Sequence, residues 1–90
     1  MIDESPETIP FSPGAGVPRA VIDAGGEPWD VLMGMISQRI AELGPGDLLE
    51  VSSGDPSHRM DLMAWTRITG HDLFQLTADG RHTWFWIRKR

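Results

Sequence analysis

The chain has 90 residues, 40% of them apolar, with four tryptophans and three phenylalanines. That is enough for one small packed core and too little for a second domain. Thirteen acidic against eight basic side chains give a net charge of −5, which argues against nucleic acid as a partner, because phosphate backbones are held by clustered Lys and Arg. With no cysteine in the sequence, disulfides, thiolate metal sites, persulfide chemistry and Cys-His catalysis are closed to it.

Residues 1–16 place Asp3, Glu4 and Glu7 among Pro6, Pro10 and Pro13, a composition that buries little and opposes regular pairing, so a flexible N-terminal tail is expected. The alternative is a docking role for Ile9 and Phe11. MIDESPETIP lacks the basic and apolar regions of a secretory signal, and no run approaches the ~20 apolar residues of a membrane span. A cytoplasmic location with no membrane contact is the expectation.

A single domain over residues 17–90 follows. RAVIDA, partly β-branched and stopped by Gly25-Gly26, reads as a strand feeding a turn. Pro28 then suits the first turn of a helix, Asp30 complements its dipole, and Leu32, Ile36, Ile40 and Leu43 recur at helical spacing up to Gly44-Pro45. DLLEVSS is a second strand, with Leu49 and Val51 on one side and Leu48 and Glu50 on the other. Asp55-Pro56 pairs a capping residue with a proline at the first helical position. Leu62, Trp65 and Ile68 continue at helical intervals until Gly70, predicting a second helix over Pro56 to Thr69. Two alternating runs, HDLFQLT and HTWFWIRK, flank Ala78-Asp79-Gly80-Arg81, a hairpin signal. The order β-α-β-α-β-β predicts an α/β two-layer sandwich with both helices on one face of a four-stranded mixed sheet.

VIDAGG, LGPGDLLEV, SSGDP, DLMAWTRITGH and FWIRK together resemble the TusA or SirA-like sulfur-carrier family over about residues 20 to 90. The resemblance implies the same sandwich, with a Cys-Pro-x-Pro motif opening the first helix and its cysteine carrying a persulfide. That motif is absent. Spacing from Asp23 and Pro45 puts the family cysteine at Trp29, with Asp30 and Leu32 in place of the prolines; a shifted alignment that needs gaps pairs Glu27-Pro28 with Cys-Pro. Neither an indole nor a carboxylate accepts and passes on a sulfane sulfur, which needs a thiolate. Asp61 matches an acidic family position in the middle of the second helix. Met63 replaces a family proline two residues later, so that helix is expected to be straighter than in relatives.

The rim of the former site is thus assigned to Glu27, Trp29, Asp30, His58, Arg59 and Asp61. Capping of a helix dipole is the simpler role for Glu27 and Asp30, and Trp29 serves as a plug over the vacant site or as a contact for a partner. In TWFWIRK, strand alternation puts Phe85 and Ile87 in the core and Trp84 and Trp86, beside Arg88, on the open sheet face, a second candidate interaction surface. His58, His71 and His82 show no metal-ligand spacing, and neither a metal nor a cofactor is expected. The reading that results is a non-catalytic binding or accessory module that contacts a protein partner or itself. Two alternatives stand beside it: sulfur transfer with a partner's cysteine, or a small anion held between the helix N-termini.

Overall fold

A computed structural model describes residues 17–80 and 82–90. The expected tail over residues 1–16, Ile9 and Phe11 with it, and Arg81 of the hairpin loop lie outside the described residues. The elements are β1 (Pro18–Asp23), α1 (Trp29–Glu42), β2 (Leu48–Ser53), α2 (His58–Thr69), β3 (Asp72–Asp79) and β4 (His82–Arg88). The sheet order is β1-β2-β4-β3, with β1 parallel to β2 and the other pairs antiparallel. This is the predicted two-layer sandwich.

The core lies between the sheet and the helices. Ile22 from β1, Leu49 and Val51 from β2, and Phe85 and Ile87 from β4 meet Leu32, Ile36 and Ile40 of α1 and Leu62 of α2. Alternation along each strand sends the neighbouring side chains to the other face, as the register shows: Glu50 lies opposite Trp86 and Ser52 opposite Trp84. Leu32, Ile36 and Ile40 recur every fourth residue, so α1 presents one unbroken apolar stripe to the sheet.

The second helix departs from its expected pattern in three ways. It begins at His58 instead of Pro56, because the Asp55 carboxylate accepts hydrogen bonds from the Ser57 N–H at 2.9 Å and the Ser57 hydroxyl at 2.8 Å. These bonds hold Asp55-Pro56-Ser57 as a turn ahead of the helix. Asp61 therefore sits in the first turn, not in the middle. Ile68, expected on the apolar face, is 84% exposed, while Thr66 is buried. Burial of Thr66 is tolerated because its hydroxyl donates to the Leu62 carbonyl at 2.9 Å. Gly70 ends α2 as predicted: its φ of 86° is left-handed, and its N–H reaches the Thr66 carbonyl.

A second difference concerns α1, where Pro28 lies just outside the helix in extended backbone. Its carbonyl accepts the Leu32 N–H at 3.0 Å, so it closes the first turn without being part of it. No helix among the described residues is long and apolar enough to cross a membrane.

Candidate functional site

The loops after the two parallel strands are tied together. The Gly54 N–H donates to the Gly25 carbonyl at 2.9 Å, and the Ala24 N–H donates to the Ser52 carbonyl at 2.8 Å. A Cβ on Gly54 would meet that Gly25 oxygen at 3.3 Å, so the close approach favours glycine there, while Gly25 suits its position through a left-handed φ of 54°. Asp23 supports the junction by accepting bonds from the Gly25 N–H and the Ser52 hydroxyl. The consequence is that Trp29 and His58, each the first residue of its helix, come side by side. Their ring centroids are 6.0 Å apart and their planes are tilted by 50°.

His58 is buried, with 1% of its surface exposed. Its Nδ1 lies 2.6 Å from Ser53 Oγ, and that oxygen already accepts the Asp55 N–H at 3.0 Å. Either the hydroxyl or the ring N–H donates across this contact, according to the imidazole tautomer. Nε2 has no hydrogen-bond partner. The Asp55 carboxylate stands 3.5 Å from it, too far for a good bond. A buried ring nitrogen left without a partner costs about 1–3 kcal/mol, and its ring packs beside the Trp29 indole. The Ser57 backbone N–H, helped by the Ser57 hydroxyl and less by His58, holds the Asp55 carboxyl below the usual carboxylate range.

Among the sequence-predicted rim residues, Trp29 and His58 are brought into contact. Glu27, Asp30 and Arg59 are exposed and Asp61 is half-buried; none of these four has a side-chain hydrogen bond or ion pair among the described residues. Asp30 and Asp61 occupy the first turns of their helices, where a negative charge suits the dipole. Sequence reasoning missed Ser53 and Asp55 as partners of His58. The signal was the spacing Ser-x-Asp-x-x-His across a strand end and a helix start, which brings a hydroxyl, a carboxylate and an imidazole to one corner. No group of three or more metal-ligating side chains occurs among the described residues.

The second predicted surface, on the sheet face away from the helices, is more occupied than the sequence suggests. Trp84 and Trp86 are half-buried. The Trp86 Nε1–H donates to Glu50 at 3.0 Å, the Trp84 ring lies 5.0 Å from that of His82 at a tilt of 41°, and Arg88 lies 5.2 Å over the Phe74 ring while pairing with Asp72.

No protein-family model matches the chain, and no solved structure does. Curated relatives match most of its length. The sulfur carrier protein TusA of Pseudomonas putida (strain GB-1) is 37% identical over 73 residues, covering 81% of this chain and 91% of that protein. The sulfur carrier protein TusA of Pseudomonas aeruginosa (strain LESB58) is 32% identical over 71 residues, 79% of this chain and 90% of that protein. With this identity along nearly the full length of such relatives, and the fold described above, the chain belongs to the TusA family of sulfur carrier proteins.

Proposed function

We propose that this chain is a TusA-fold accessory module that works beside sulfur-transfer proteins by reversible contact and carries no sulfur itself. One observation carries the reading: at the start of α1, where the family resemblance puts the persulfide cysteine, Trp29 is packed against the buried ring of His58. A thiolate is needed both to attack a sulfane sulfur and to release it, and the sequence contains no cysteine. The relatives' names supply the sulfur-transfer setting, and the retained fold supports contact with proteins of that setting.

The electrostatics of the corner favour this reading over capture of a small anion. Among the described residues, Glu27 and Asp30 stand at the start of α1 and Asp55 and Asp61 at the start of α2, with Arg59 beside them, and like charges at a helix N-terminus offset the attraction of its dipole for an anion. The test is intact-mass analysis of the purified chain after incubation with a cysteine persulfide donor and denaturation. The expected result is an unchanged mass. A denaturation-resistant gain of one sulfur atom overturns the proposal.

A further inference from the structure

The large apolar side chains that this fold leaves in solvent lie mainly on its helices. Met60 and Ile68 are 74% and 84% exposed, and Met63 is also exposed. Met60, Ala64 and Ile68 are spaced four residues apart, so they form one line along the outer side of α2, with Met63 beside it. Arg59 and Arg67 border the line, both exposed and without an ion pair among the described residues. Met63 and Arg67 also line a shallow groove of about 290 Å³ between α2 and the start of β3, with Thr66, His71 and Leu73. In a chain of net charge −5, two arginines without an ion pair among the described residues stand with Met63 along one side of this apolar row, and Asp61 stands on its other side.

We infer that this outer face of α2 is where the accessory module meets its protein partner, and that the partner presents an apolar ridge bordered by carboxylates. The inference rests on the accessory reading and specifies its surface. Methionine is unbranched and polarizable, so it moulds to a ridge of varied shape. Arginine at the border adds bidentate pairing with carboxylates and sets partner choice by charge. A second copy of this chain is the poorer fit in an antiparallel two-fold contact, which sets the arginine-bearing row of one helix against the same row of the other and leaves Asp61 on the far side of both.

The test uses the 15N-labelled full chain and two synthetic amphipathic helical peptides, one with a leucine ridge bordered by glutamates and its twin with lysine at every glutamate position. The acidic peptide is expected to cause saturable shifts over Arg59 to Ile68, weakened at least tenfold by salt or by Arg59→Glu with Arg67→Glu, and that double variant is expected to prefer the lysine peptide. Equal binding of both peptides, no saturable shift, or shifts centred on Trp84 and Trp86 overturns the inference. So does concentration dependence of the α2 signals in the chain alone, which assigns the face to a second copy. Sensitivity of those signals to Asp3→Lys, Glu4→Lys and Glu7→Lys without peptide overturns it too, assigning the face to the N-terminal segment. Sulfur loading of the native chain is a separate readout: it refutes the accessory reading without moving these peptide shifts.

Discussion

On the sheet face, Trp84 and Trp86 are half-buried among side chains of their own chain, with the Trp86 indole bonded to Glu50 and the Trp84 ring packed at a tilt against His82. On the outer face of α2, the smaller Met60 and Ile68 are 74% and 84% exposed, beside arginines without an ion pair among the described residues. The contrast teaches that residue size is a poor guide to which surface is open. Four adjacent strands let large rings cover one another and satisfy their polar tips. The outer side of a single helix lying on a sheet is covered by no other element among the described residues.

Substitutions test this contrast over a range of effects. The largest is expected in the shared core, where Phe85→Ala removes a buried ring and should cost about 3–5 kcal/mol in urea unfolding. Ser53→Ala should cost about 1–3 kcal/mol, because it leaves His58 Nδ1 without its partner as well as Nε2. Trp86→Ser should cost about 1–2 kcal/mol through lost packing and an unpaired Glu50; no loss at all would mean that the sheet face is as open as α2. The effect of Asp72→Asn depends on pH. Arg90, then Arg88, holds the Asp72 carboxyl below its ordinary value. Its contribution is therefore present above the unfolded carboxylate range near ~3.9 and is lost as pH falls through the lower folded value. The variant should be slightly less stable at neutral pH and lose part of the native chain's acid sensitivity. Smallest of all, Met60→Ser with Ile68→Ser should leave stability within about 0.5 kcal/mol. A larger drop would show that this strip is covered within the folded chain.

The architecture was legible because its signals are local. The four-residue spacing of Leu32, Ile36 and Ile40, the alternation around Phe85 and Ile87, and the Asp79-Gly80 pair each report on a few neighbouring residues. Even the start of α2 was misplaced by only two residues, through an Asp55-Ser57 bond that competes with helical capping. Ile68 was assigned inward because three-residue steps drift around a helix of 3.6 residues per turn, and by the second step the side chain has left the core stripe. The candidate corner was less legible. His58 is buried by a tryptophan 29 positions earlier and bonded to a serine at the end of β2, and both contacts exist only once the sheet has brought the two loops together.

We propose that Trp29 closes a carrier site and leaves no sulfur chemistry behind. Intact-mass analysis of the native chain beside Trp29→Cys, both folded and both exposed to the same persulfide donor, tests it most directly. Trp29→Cys is expected to gain a sulfur atom while the native chain keeps its mass. A native chain that takes up sulfur in a form surviving denaturation contradicts it.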